Sequence, residues 1–224
     1  MDIKSESQPN IIEPITDKMK EIIIPKLPLW INTYNLTLVS LVWSSIIVYA
    51  GYKSQKNIKW LYLVMICIFL HWLTDSLDGA VGKYRNTGAV KWGYFMDHTM
   101  DTIFMDSIFI AFIFALPQYN FIIILILLLI NQMFVTAFLS LDKNGLDVSS
   151  CNQYFCLGPA DLLVVFEMIT LYVIYTNGKP NKYFIYFIFL FLLLANIQKI
   201  YQKQFLFNKE DQQEKSKIKN NNLL

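Results

Sequence analysis

Charge is scarce in this chain, and arginine is nearly missing. Asp, Glu, Lys and Arg make up 16% of the 224 residues, and Arg85 is the single arginine beside eighteen lysines. Soluble domains carry about 25% charged residues; with 55% of this chain hydrophobic, an ordinary water-soluble fold is excluded. A net charge of +2 provides no basic excess, and no nucleic-acid partner is expected. Cysteine is rare too: Cys67, Cys151 and Cys156 do not make a disulfide framework. Cys67 reads as a small apolar residue inside a helix. The only histidines, His71 and His98, leave Cys151 and Cys156 short of the ligands a zinc site needs.

What is abundant is apolar sequence in long runs with few turn residues between them. Windows at 34–52, 58–74, 94–116, 119–141, 159–176 and 183–206 each approach the ~20 residues needed to cross ~30 Å of hydrocarbon at ~1.5 Å rise per residue. Runs such as Phe121 to Ile130 and Tyr183 to Leu194 could be strands by periodicity. Their length and lack of breakers favour helix, which also satisfies its own backbone in lipid. The expectation is an all-α polytopic membrane protein of six transmembrane helices, with residues 34–206 as its membrane domain.

Residues 1–33 show no signal-peptide pattern. Ile11, Ile15, Met19 and Ile22 recur at spacings of three and four, with Lys18 and Lys20 off the stripe. That pattern suits an amphipathic helix lying at the membrane interface, ended by Pro25 and Pro28. Residues 207–224 are polar and predict a disordered tail. Six spans place both termini on one side, with Lys18, Lys20, Lys26, Lys83, Arg85, Lys91, Lys143 and Lys209; Lys53, Lys56, Lys59, Lys179 and Lys182 fall on the other. The positive-inside rule makes the first side cytoplasmic, in a bacterial inner membrane or an endoplasmic reticulum membrane.

The chemistry concentrates where the second window leads into the third. Asp75 and Asp78 are three apart, and Asp97 and Asp101 four apart, so each pair shares a helix face. A short connection between antiparallel neighbours lets the two pairs meet. Four carboxylates at membrane depth repel and are costly to desolvate, so a cation is needed among them. Oxygen ligands without a thiol or imidazole cluster suit Mg²⁺ or Mn²⁺, with room for two ions. Gly79 follows Asp78, Gly82 is three further on, and Gly93 lies on the face of Asp97. Such small residues let a ligand or a neighbouring helix approach the backbone.

This stretch resembles the signature of the CDP-alcohol phosphatidyltransferase family, Asp-x2-Asp-Gly-x2-Ala-Arg, eight or nine residues, then Gly-x3-Asp-x3-Asp. Asp75, Asp78, Gly79, Gly93, Asp97 and Asp101 match it, with nine residues between Lys83 and Gly93. Asn35-Leu36-Thr37 is also similar to family members. The resemblance implies metal ligation by Asp75, Asp78, Asp97 and Asp101, with Asp101 also the general base. It implies a CDP-alcohol donor with its cytidine near Gly79, and an alcohol acceptor, at least one of them a lipid. The reaction gives a phosphodiester and CMP in phospholipid synthesis, and the resemblance allows a homodimer.

The chain departs from the pattern where Gly82-Lys83 replaces Ala-Arg. Lysine keeps the charge but lacks the planar fork that grips phosphate, so Lys83 and Arg85 both stand as diphosphate contacts. His71, four before Asp75, reads as a backbone-satisfied histidine or an outer partner of that aspartate. His98 adjoins Asp97 but diverges by about 100° on a helix. Asp106 and Glu167 fall inside apolar windows and are candidates for lining the cleft; Asp161 reads as a helix-terminal cap. Three rival readings are a membrane prenyltransferase using magnesium and diphosphate, a metal transporter, and a non-catalytic metal- or lipid-binding protein.

Overall fold

The structure is a computed structural model and describes residues 13–86, 90–144 and 159–221. Those residues form seven α-helices and no strand: α1 (Glu13–Ile23), α2 (Thr33–Ser54), α3 (Leu61–Arg85), α4 (Val90–Ala115), α5 (Asn120–Asn144), α6 (Pro159–Tyr175) and α7 (Lys182–Asn221). Short 3₁₀ turns at Ile24–Lys26, Ile58–Trp60 and Pro117–Tyr119 join them.

Six helices fall on the six apolar windows. Among the described residues, five stretches are long and apolar enough to cross a membrane: Thr33–Ser54, Ile58–Arg85, Phe95–Ala115, Pro117–Thr136 and Lys182–Lys209. On the fifth window α6 offers a shorter apolar segment, Leu163–Tyr175. Two boundaries differ from the sequence reading. The second and third helices run past their apolar windows, α3 to Arg85 and α4 from Val90, so most of the stretch between those windows is helical. The tail also continues as helix through α7 to Asn221; its Lys, Glu and Gln favour helix even where nothing apolar is buried, and no proline or glycine interrupts them.

The helices group into two compact units, one comprising Met1–Pro117 with Tyr154–Lys179 and the other Gln118–Gln153 with Pro180–Leu224. In the second, α5 packs on α7, and Asn196 of α7 donates to the Leu129 carbonyl at 2.9 Å. Tyr183, Phe187, Leu190, Leu194, Ile197 and Tyr201 leave an exposed apolar stripe along α7, as a lipid-facing helix requires.

The first unit is organised by α2, which packs along both α3 and α4, while those two touch each other only sparingly. The reason lies in an inverted pattern. Thr33, Thr37, Ser40, Ser44, Ile47, Gly51 and Ser54 recur at alternating spacings of four and three and are buried, whereas Leu38, Leu41, Val42, Tyr49 and Tyr52 are exposed. Without a hydrophobic drive between helices in lipid, small residues face the neighbours and large apolar ones face the hydrocarbon. Two buried hydroxyls are satisfied within the helix, Ser44 donating to the Ser40 carbonyl at 2.8 Å and Ser54 to that of Gly51 at 2.6 Å. At Gly51 the approach is closest: a Cβ there would lie 2.4 Å from the Ala111 Cα of α4. Ile47, Ala50, Leu61, Val64, Ile68, Phe104, Ile108 and Ala111 fill the core between these helices.

The chain entering α2 is fastened to α3. Ile24 is buried with Leu77 and Val81, flanked by Ile23, Leu27, Leu36 and Leu73. Asn32 caps α2 by accepting from the Asn35 amide at 3.0 Å. Arg85, near the C-terminus of α3, donates to the carbonyls of Leu27 (2.9 Å), Pro28 (3.3 Å), Leu29 (3.5 Å) and Ile31.

Candidate active site

Three of the four aspartates converge. Asp75 of α3 and Asp97 and Asp101 of α4 each present an atom within 4.8 Å of the others. All three are partly buried. The carboxylates sit inside helices rather than at their ends, because α3 and α4 run on beyond them by about two turns or more.

Asp78 is placed differently. It is buried, and its Oδ2 accepts from Thr37 Oγ1 of α2 at 2.8 Å, while its backbone carbonyl accepts from Thr33 Oγ1 at 3.0 Å. It stands outside the group of three. Thr37 escaped the sequence reading as a site residue, although it belongs to the small-residue stripe and to the Asn35-Leu36-Thr37 segment.

Carboxylates this close require a proton or a cation between them. Among the described ion pairs no lysine or arginine reaches them; the contacts are His71 Nε2 at 3.3 Å from Asp101 Oδ1 and His98 Nδ1 at 3.5 Å from Asp97 Oδ2. His71 therefore addresses Asp101 across the helices rather than Asp75 on its own. His98 reaches Asp97 despite its divergent position. The donor set is oxygen-only and acidic, which fits a hard divalent cation such as Mg²⁺ or Mn²⁺.

The glycines border open space. Among the described residues, a Cβ at Gly79 or Gly93 would meet nothing within 4 Å, so none of them demands glycine at either place. Gly82 is buried within α3, and Lys83 is exposed. Arg85 has its guanidinium engaged by backbone carbonyls; beside it a cavity of about 800 Å³ is lined by Leu29, Asn32, Thr33, Tyr34, Tyr84 and Arg85.

The remaining ionisable candidates lie elsewhere. Asp106 is half-buried on α4 outside the carboxylate group, and Glu167 of α6 holds a buried Oε2 with no hydrogen-bond partner. Cys67 is buried. Cys151, Cys156, Gly88 and the side chain of Asp161 lie outside the described residues.

The family model described as CDP-alcohol phosphatidyltransferase matches residues 26–203, a span from the end of the first 3₁₀ turn into α7. The chain belongs to the CDP-alcohol phosphatidyltransferase family. The match extends well beyond the 27 residues between Asp75 and Asp101 and takes in α2, the helix that meets Asp78. CDP-alcohol phosphatidyltransferases are phosphotransferases that move a phosphate group from a CDP-alcohol and are typically metal-dependent; with the apolar helices, this makes the chain an integral membrane protein. No curated protein and no solved structure matches the chain significantly.

Proposed function

We propose that this protein is an active membrane enzyme that transfers a substituted phosphate from a CDP-alcohol to an acceptor hydroxyl, releasing CMP, in phospholipid synthesis with at least one lipid partner. The observation carrying this reading is the convergence of Asp75, Asp97 and Asp101 within 4.8 Å in a chain of this family. Those three, joined by Asp78, are the ligands for Mg²⁺ or Mn²⁺, two ions in all. Bound there, the metal supplies charge stabilisation to the donor's diphosphate and to CMP as it leaves.

The chain's own residues do the rest. Asp101 accepts the proton of the attacking hydroxyl. Gly79 and Gly93, with open space beside them, let the nucleotide lie against the backbone. Lys83 contacts the diphosphate: it is exposed, whereas the donors of Arg85 are occupied by carbonyls. Six spans, with α6 the fifth and α1 at the interface, put both termini and the carboxylates on the cytoplasmic side, in line with the lysine distribution.

The test is to incubate the purified protein with Mg²⁺ or Mn²⁺ and a panel of CDP-alcohols and acceptor alcohols, following CMP. Metal-dependent release with at least one pair is expected. Silence with every pair would favour the non-catalytic reading.

A further inference from the structure

One chain of polar groups crosses three helices of the first unit. Ser40 on α2 and His71 on α3 are each 3% exposed. His71 Nδ1 lies 3.2 Å from Ser40 Oγ, and Nε2 lies 3.3 Å from Asp101 Oδ1. The imidazole also stacks on Phe104, three residues beyond Asp101 on α4, with centroids 3.6 Å apart and planes 17° from parallel. Both nitrogens and one face of the ring are thus engaged.

Buried polar groups persist where they are satisfied, and here the chemistry of the partners fixes the arrangement. An ionised carboxylate only accepts, so a favourable contact with Asp101 needs the proton on Nε2. On a neutral ring Nδ1 is then an acceptor and the Ser40 hydroxyl its donor; on an imidazolium Nδ1 donates and Ser40 Oγ accepts. A histidine held so firmly cannot swing; neither can the carboxylate oxygen it faces.

We propose that His71, locked by Ser40 and Phe104, is the positioning residue of Asp101. It fixes Oδ1 and so sets the direction in which the second oxygen points. The role rests on the assignment of Asp101 as base. In the transfer, the acceptor oxygen bonds to phosphorus, its proton passes to Asp101, and the bond from phosphorus to the CMP oxygen breaks with its electron pair leaving on CMP. His71 neither gains nor loses a proton in that step; it holds the group that does.

The first test needs no turnover. Selective ¹⁵N-histidine labelling of the detergent-solubilised full chain gives two rings, His71 and His98, which His98→Gln assigns. The His71 proton is expected on Nε2, and Asp101→Ala should shift that resonance. An unprotonated Nε2, or no response to Asp101→Ala, overturns the proposal.

Kinetics supply the second test. Loss of an outer hydrogen-bond partner typically costs about 10–100-fold, so His71→Leu should lower kcat by that factor while donor KM stays within about threefold. His71→Gln, whose amide nitrogen reaches the place of Nε2, should recover most of the rate; His71→Asn, whose amide stops short, should not. Should His71→Leu fail to fold, the Gln and Asn pair decides: equal rates for the two overturn the proposal, as does an unchanged kcat in His71→Leu. A wild type that releases no CMP removes the assigned reaction, and the labelled spectrum still decides whether His71 holds Asp101.

Discussion

Thr37 donates to Asp78 Oδ2 at 2.8 Å, a hydrogen bond between a helix that carries no carboxylate of the site and the one carboxylate set apart from the other three. A hydrogen bond to a charged group is worth about 1.5–3 kcal/mol. Thr37→Val should therefore lower the unfolding free energy in detergent by about that amount, and Thr37→Ser should restore it. Equal melting of the wild type and Thr37→Val would show that Asp78 finds another donor.

Gly51 should tolerate nothing larger. A Cβ at 2.4 Å from the Ala111 Cα must push α2 and α4 apart, and overpacking of this kind costs about 1–3 kcal/mol. Gly51→Ala should melt earlier by thermal denaturation in detergent. Adding Ala111→Gly should recover little, because the obstructing atom is backbone.

Gly79 and Gly93 should behave in the opposite way. With open space around each, Gly79→Ala and Gly93→Ala leave the fold intact, and helix propensity favours alanine by about 0.8–1 kcal/mol. Donor KM should nevertheless rise at least severalfold, since the added methyl occupies the space assigned to the nucleotide. Stability and affinity moving apart in this manner would separate a ligand-bearing surface from a packing contact; unchanged KM in both variants would remove the nucleotide from that face.

Lys83 and Arg85 should separate by assay. Lys83→Ala should raise donor KM with little change in melting. Arg85→Ala frees the carbonyls of Leu27, Pro28 and Ile31, so limited proteolysis should cut faster between Leu27 and Asn32. If Arg85→Ala raises KM while proteolysis stays slow, the roles are reversed.

Metal should act on stability as well as turnover. Carboxylates held this close destabilise the empty fold, and a ligand that binds only the native state adds about 2.7 kcal/mol at a hundredfold excess over Kd. Mn²⁺ should raise the melting temperature of the wild type and not that of an Asp75→Ala, Asp97→Ala double variant. A chelator should reverse the rise and stop CMP release together.

Much of this was legible in the sequence because membrane spans and a spaced aspartate motif are both one-dimensional signals. The windows located six helices, five of them within stretches long and apolar enough to cross a membrane, and the spacings of three and four put Asp97 and Asp101 on one face. What spacing could not say is which face meets which across helices. Asp78, one turn from Asp75, faces Thr37; His71, one turn from Asp75 on the other side, faces Asp101. Hydropathy also cut α3 short at residue 74, since an aspartate-bearing helix stops looking apolar long before its backbone stops being helical. Arg85 showed the same limit: its charge suggested phosphate, while a chain fold near Leu27 supplied four carbonyls.

Since α2 packs on both α3 and α4, the gap between Asp75 and the pair Asp97–Asp101 depends on a third helix as well as on the direct contacts of His71 with Asp101 and Phe104. Towards α3 that helix presents the hydroxyls of Thr33, Thr37 and Ser40, which meet Asp78 and His71. If the carboxylates hold a metal as proposed, a substitution on α2, a helix that carries none of them, can tune their spacing without altering a single aspartate.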